Sequence, residues 1–302
     1  MLQSLLLDNP VLVKHVRARL RRQHLLPFVA MVIMVCGAIV WSAAVNAGIS
    51  SDEVTGMLVL VVVLKAIILL LVGTSRVAAS VGEARSSGML DFHRISPQRP
   101  AALTVGFLLG GPIREYILFA CTLPFSLFLG LIAGLGPLRW LAIVLAILAA
   151  ALLYHAAALV AALTLPDFRG GGASIVVLLV ILHMAFGPAM FGGLPLAYLT
   201  IIPTTAAAID PTGPHTFVDV SFLGQLLSVL LFSLLHQGLL LVFLLIAAAR
   251  KMRDELAPPY AKPMAVLFYL LIAALTVLDV ALDSPPGSYS HTSGLGPSAA
   301  IY

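Results

Sequence analysis

The chain has 302 residues, of which 61% are apolar and only 10% charged, and its formal net charge is +4. A soluble domain is nearer half apolar and a quarter charged, so a water-soluble globule is excluded. The basic residues sit between apolar runs rather than on one polar, aromatic face, which argues against a nucleic-acid binder.

In chain order, the apolar stretch Leu5, Leu6, Leu7 is short and precedes the basic residues, which is not the order of a secretory leader. Asn9 suits a helix N-cap and Pro10 the first helical position. From there to residue 25, Val13, Val16 and Leu20 share one face at helical spacing, and Lys14, Arg17 and Arg21 share another. This is the pattern of a basic amphipathic helix lying on a membrane surface. Seven apolar runs follow, at residues 27–46, 54–72, 103–135, 138–165, 173–191, 222–249 and 264–282. About 20 apolar residues span a bilayer. The third run is long and is interrupted by Gly110-Gly111-Pro112, the signature of a broken helix. The expected fold is therefore all-α: a polytopic integral membrane helical bundle of six core transmembrane helices plus a seventh. A cytoplasmic N-terminus containing the interfacial helix occupies residues 1–26, the membrane domain 27–282, and a Ser, Gly and Pro-rich tail 283–302, expected to be disordered and extracytoplasmic.

Charge placement gives the orientation. Fourteen basic residues fall before the first run, between the second and third, after the fourth and after the sixth, whereas the opposite connections hold only Arg139. Cytoplasmic loops carry the excess of Lys and Arg, so the N-terminus is expected in the cytoplasm of a cell whose inner membrane holds the protein.

Chemistry-bearing residues are few. Gly-Lys occurs nowhere, so a Walker A phosphate loop is excluded. Cys36 and Cys121 both lie in apolar runs and read as core filler. His155, His183 and His236 fall in or near spans without diagnostic metal-ligand spacing, and a packed or hydrogen-bonded histidine is the better reading of each. Intramembrane charge is costly and marks function or pairing. Lys65, Arg114 and Glu115 are such residues, read either as a polar gate between helices or as structural pairs, for instance Lys65 with Glu115. Asp279 lies near the end of the seventh run. Residues 75–100 are long for a plain connection, mix charges, and read as a cytoplasmic loop able to dock a partner.

Four stretches in order resemble the permease subunits of ABC-2 type transporters. They are Asn9-Pro10-Val11-Leu12 with the basic helix after it; Glu83-Ala-Arg-Ser-Ser-Gly-Met-Leu-Asp-Phe followed by Ile95-Ser96-Pro97; the run from Gly106 to Pro124 with Pro112, Arg114 and Glu115; and Arg250-Lys-Met-Arg with Pro258 beyond. Met89 stands where Thr is usual, Phe107 where Lys is frequent, and the seventh span is additional. The resemblance implies a non-catalytic chain that pairs with a second permease, alike or homologous, above two cytoplasmic ABC ATPase subunits that bind ATP and magnesium. It assigns export across the membrane to the assembly, and to residues 75–100 the coupling helix. Within that loop Glu83 and Arg85 would pair with the ATPase, Met89, Leu90 and Phe92 would fill its groove, and Gly88, Asp91 and Pro97 complete the motif. No cofactor of this chain's own is implied. The competing classes are a membrane-embedded metal or haem enzyme built on the three histidines, and a non-transporting membrane scaffold.

Cysteines introduced at Ser87 and Gly170 should react with a membrane-impermeant maleimide only from the cytoplasm, and one at Thr212 only from outside. Labelling of Ser87→Cys in intact cells would reverse the orientation.

Overall fold

The computed structural model describes residues 9–45, 50–165, 172–190, 195–211, 219–222 and 225–282. The expected tail at 283–302, the connection holding Arg169 and the Thr212 position lie outside them.

The first helix, α1 (Pro10–Arg19), begins as the sequence dictates. The Asn9 carboxamide oxygen accepts from the backbone N–H of Val11 at 3.1 Å and of Leu12 at 3.2 Å, and Pro10 occupies the first turn. The same side chain also donates to the Ala102 carbonyl at 2.6 Å, so the cap fastens α1 to a distant helix. Helix α2 (Arg22–Val45) follows. A capping box opens α3 (Ser51–Ala66): the Ser50 hydroxyl accepts from the Glu53 N–H at 3.2 Å, and the Glu53 carboxylate accepts from the Ser50 N–H at 2.8 Å. The chain then continues without interruption through a π-helical stretch, Ile67–Gly73, into α4 (Thr74–Ser86).

The whole helix from Ser51 to Ser86 has 36 residues, about 50 Å at 1.5 Å per residue. That is roughly 20 Å more than the hydrocarbon thickness of a bilayer. Residues 75–100 are therefore not a loop. Nearly half of it, through Ser86, extends the preceding helix, Gly88 turns the chain with φ 71°, and α5 (Met89–Ile95) runs on until Ser96-Pro97 ends it. The long third run divides as its glycines and proline foretell, into α6 (Pro100–Gly110) and α7 (Ile113–Ile132).

Helix α8 (Pro137–Thr164) is the axle of the bundle, packing against α4, α7 and the later helices. Its buried face is rich in alanine: Ala146, Ala150, Ala151, Ala156, Ala158 and Ala162 are all sealed. Small residues let helices approach closely where lipid supplies no hydrophobic drive. The remaining elements are α9 (Gly172–Met190), α10 (Pro195–Tyr198), α11 (Ile202–Ile209), an antiparallel hairpin of β1 (Asp219–Phe222) and β2 (Gln225–Ser228), then α12 (Val229–Arg253) and α13 (Lys262–Leu282). The hairpin's strands take up Phe222 and Gln225–Ser228, expected to open the sixth apolar run, so that helix starts at Val229.

Among the described residues five helices are long and apolar enough to cross a membrane: Arg22–Val45, Ser51–Ser86, Ile113–Ile132, Pro137–Thr164 and Val229–Arg253. The bundle is all-α apart from the hairpin. Its flanks carry exposed Met34, Trp41, Leu60, Leu179 and Tyr269, as a lipid-facing surface requires. One core joins α2, α3, α7 and α8 around Leu58, Val61, Leu129 and Ile147. A second joins α4, α6, α8 and α12 around Val77, Leu103, Leu159 and Met252, and it takes in Val11 of α1 and Leu90 of α5. Both peripheral helices are thus built into the bundle.

Glycine makes the α1–α6 contact possible. A Cβ on Gly106 would lie 2.8 Å from the Val11 Cβ and 2.9 Å from the Asn9 carboxamide oxygen, and one on Gly110 would lie 3.0 Å from His15. Gly106→Ala should therefore destabilise the protein by about 1–3 kcal/mol, the usual cost of overpacking. Gly56→Ala, where nothing lies within 4 Å, should be neutral or stabilising by about 0.5–1 kcal/mol through helix propensity. Thermal unfolding in detergent reads both, and equal behaviour of the two variants would refute the close-approach argument.

Candidate functional site

The intramembrane charges form two separate constellations. Lys65 of α3 is fully buried, and its ammonium donates to the Ser126 hydroxyl of α7. That hydroxyl also accepts from the Trp140 indole at 3.0 Å and donates to the Leu123 carbonyl at 3.0 Å. The Phe119 ring centroid lies 5.8 Å from the ammonium, within cation–π range. A helical side chain leans toward its helix's N-terminus, so the stem of Lys65 runs along α3 toward the Ser51 end.

Glu115 pairs elsewhere, and the expected Lys65–Glu115 pair is not formed. One carboxylate oxygen accepts from Arg114 Nε at 3.1 Å and Nη2 at 2.7 Å, and Arg76 Nε of α4 stands 3.9 Å away. Glu115 is sealed, whereas the Arg76 side chain is 45% exposed. The Arg114 guanidinium lies 4.3 Å from the Phe28 ring centroid, which joins α2 to the same cluster. The other Glu115 oxygen is buried and has no hydrogen-bond partner among the described residues. Two guanidinium groups around one carboxylate leave this constellation with a positive excess.

Beside it, His155 of α8 reaches into the long helix. Its Nε2 is 3.0 Å from the Leu69 carbonyl, and its Nδ1 is 3.1 Å from the Tyr116 hydroxyl. A carbonyl only accepts, so Nε2 carries the proton and Nδ1 accepts from the tyrosine. Leu69 lies in the π-helical stretch, and a side chain inserted into a helix's hydrogen-bond ladder is a recognised cause of such a distortion. Gly73 leaves the room, because a Cβ there would lie 2.6 Å from His155 Nε2.

His183 is 3.0 Å from the Tyr154 hydroxyl, and His236 Nδ1 donates to the Phe232 carbonyl at 2.9 Å. The three histidines thus serve different hydrogen-bond networks. Among the described residues no group of three or more His, Cys, Asp or Glu side chains is placed to share a metal ion.

The residues from Glu83 to Pro97 divide by exposure. Leu90 is 1% exposed and belongs to the second core, so it offers no surface to a partner. Phe92 is 65% and Ile95 83% exposed, and three residues apart they are neighbours on one face of α5. Met89, Asp91, Glu83, Gly88 and Pro97 are also at the surface.

Arg85 is committed within the chain. It donates to the Leu165 carbonyl at 2.6 Å and to Glu255 at 2.8 Å. Arg94 holds the other Glu255 oxygen at 2.8 Å and Asp91 at 2.6 Å. These hydrogen bonds from Arg85 and Arg94 keep the Glu255 carboxyl below the usual carboxylate range. Glu255 thereby ties α4 and α5 to the segment after α12, and sequence reasoning missed it. Its signal was an acidic pair, Asp254-Glu255, directly after the basic run Arg250-Lys-Met-Arg.

Comparison of the chain with protein-family models, with curated proteins and with solved structures found no match.

Removing Glu115 alone would leave Arg114, only 14% exposed, beside no acid. Glu115→Leu should cost about 3–5 kcal/mol, as broken buried pairs do. The double variant Arg114→Leu, Glu115→Leu should be more stable than the sum of the single losses by at least ~1 kcal/mol. Strict additivity in denaturant unfolding would show that the pair does not interact.

Proposed function

We propose that the chain is the membrane-spanning permease subunit of an ABC transporter of the ABC-2 type, exporting its substrate across the inner membrane with energy from a separate ATPase. In this reading the N-terminus and α5 face the cytoplasm. Six spans form the core, α6 and α7 together making the third, and α13 is a seventh. Two permease chains pair above two ATPase subunits, which hold ATP and magnesium. Lys65, Arg114 and Glu115 line the boundary along which the helices move.

One observation carries the reading. A rigid helix long enough to cross a bilayer continues well past it, turns at Gly88, and ends in a short helix whose Phe92 and Ile95 face outward. Apolar residues exposed on so short an element invite a partner, because desolvated apolar anchors supply most of the energy at an interface. A push on that face has a mechanical path: α5 is held to α4 by the Leu90 core and the Arg85–Glu255–Arg94 bridge, and α4 is one helix with the intramembrane α3. Arg85 belongs to this internal path. Glu83, Met89 and Asp91, all exposed, form the rim that sets register. The scaffold alternative accounts for the exposed face but not for its continuity with the buried charges. The metal or haem enzyme is disfavoured because Leu69 and Tyr116 already engage both nitrogens of His155, and no group of three or more His, Cys, Asp or Glu among the described residues is placed to share a metal ion.

The test is affinity purification of the full chain from its native membranes, with mass spectrometry and ATP hydrolysis as readouts. An ABC ATPase should co-purify with the wild type, and Phe92→Asp with Ile95→Asp should abolish this while the thermal unfolding midpoint is unchanged. Glu83→Arg should leave assembly partly intact and uncouple hydrolysis from transport. Full assembly and transport in the Phe92, Ile95 double variant would sink the proposal.

A further inference from the structure

Between α1, α4, α5 and α6 lies a cavity of about 310 Å³, lined by Lys14, His15 and Arg19 of α1, Glu83 of α4, His93 of α5 and the ring of Phe107 of α6. Its charge is unbalanced. Neither Lys14 nor Arg19 has a carboxylate within salt-bridge distance among the described residues. The Lys14 ammonium contacts only the Met89 thioether, at 2.7 Å, and a thioether is a weak acceptor. Glu83 is the one acid in the lining. The field is felt locally: His15 is pushed down to about 4, first by burial and then by Arg19 and Lys14, and burial and Lys14 hold His93 below the ordinary histidine range. Two cations against one carboxylate leave the cavity with a positive excess that an anion would balance.

The height of the cavity says which anion is available. The apolar part of the long helix ends at Val72, and Ser80 and Glu83 of the cavity wall follow 8 and 11 residues later, about 12–17 Å along the axis at 1.5 Å per residue. On the opposite wall Phe107 lies inside the apolar run 103–135, so the cavity reaches from the level of that run outward through a headgroup zone about 5–8 Å deep. Its walls are mixed accordingly, with Val11, Ala18, Met89 and Phe107 beside the charged groups. An amphiphile with a phosphate head meets both requirements.

We propose that this cavity binds a phosphate group, held between Lys14 and Arg19 and supplied by an anionic phospholipid whose acyl chains leave along the apolar wall. Glu83 is placed to accept from a headgroup hydroxyl and so favours glycerol-bearing heads over choline. The bound headgroup bridges α1 to the α4–α5 unit, two elements joined at this level by few polar contacts. The site shares Glu83 and Met89 with the rim of the ATPase reading but does not rest on it.

The test is native mass spectrometry of the full chain in detergent, titrated separately with dioleoyl phosphatidylglycerol, dioleoyl phosphatidylcholine and inorganic phosphate. Phosphatidylglycerol should bind with 1:1 stoichiometry and at least tenfold more tightly than phosphatidylcholine. Lys14→Gln and Arg19→Gln should each weaken it at least tenfold. Arg17→Gln removes the same charge from the exposed face of α1, outside the cavity, and should weaken it less than about fivefold, the general effect of one basic residue near a charged surface. Lys14 is at the surface, so its variant keeps the fold even if the Arg19 variant does not. Inorganic phosphate binding with the same dependence on Lys14, without lipid binding, would keep the site and make free phosphate its ligand. Equal binding by the wild type and Lys14→Gln, an equal loss in all three variants, or no binding of any probe overturns it.

Discussion

The contact between His155 and the Leu69 carbonyl sets the course of the longest helix, and much of the architecture follows from that course. In a bilayer no water relieves an unpaired imidazole or carbonyl, so each group must find a protein partner. His155, sealed on α8, takes the Leu69 carbonyl on one side and the Tyr116 hydroxyl on the other. The helix accommodates the inserted ring by widening to a π form over Ile67–Gly73. Beyond that stretch α4 stays packed along α8, and its direction determines where Gly88, α5 and the outward face of Phe92 and Ile95 lie.

A second set of polar contacts closes the structure at its arginine-rich end. Asn9 caps α1 and grips the Ala102 carbonyl, while Gly106 and Gly110 bring the two helices close enough for that grip. Glu255 joins Arg85 and Arg94, and with them α4, α5 and the end of α12. None of these pairs is deeply buried, and exposed pairs contribute modestly to stability. Their value is geometric: a bidentate carboxylate between two guanidinium groups allows only a narrow range of positions for the helices carrying them.

The helical bundle was legible in the residues because each run announces itself by length and apolarity, and because Gly110-Gly111-Pro112 and Asn9-Pro10 break and start helices for local reasons. Local signals failed where tertiary partners decide. Residues 75–100 look like a loop by their polarity, yet Val77, Val81 and Leu90 pack inward at helical spacing and hold them as helix. Lys65 and Glu115 carry opposite signs and invite pairing on paper. The structure gives Lys65 a serine and Glu115 its own neighbour Arg114, because partner choice depends on helix rotation and depth. Glu255 was invisible because its arginines lie 170 and 161 residues away. The hairpin before α12 was hidden in an apolar stretch that suits either strand or helix.

The π-helical stretch has a consequence in the language of gearing. A helix that widens to admit an extra residue stores that residue as phase. Were the stretch to tighten to regular α-helix, everything beyond Gly73 would turn by roughly 100° about the axis and advance by roughly 1.5 Å. The inserted imidazole is the pawl on this turn, seated so close to Gly73 that a Cβ there would lie 2.6 Å from its Nε2. The Arg85–Glu255 link is the brake at the far end, fixing α4 to the segment after α12, which would not turn with it. Torque on α5 and a shift of the His155 ring are thus opposite ends of one screw.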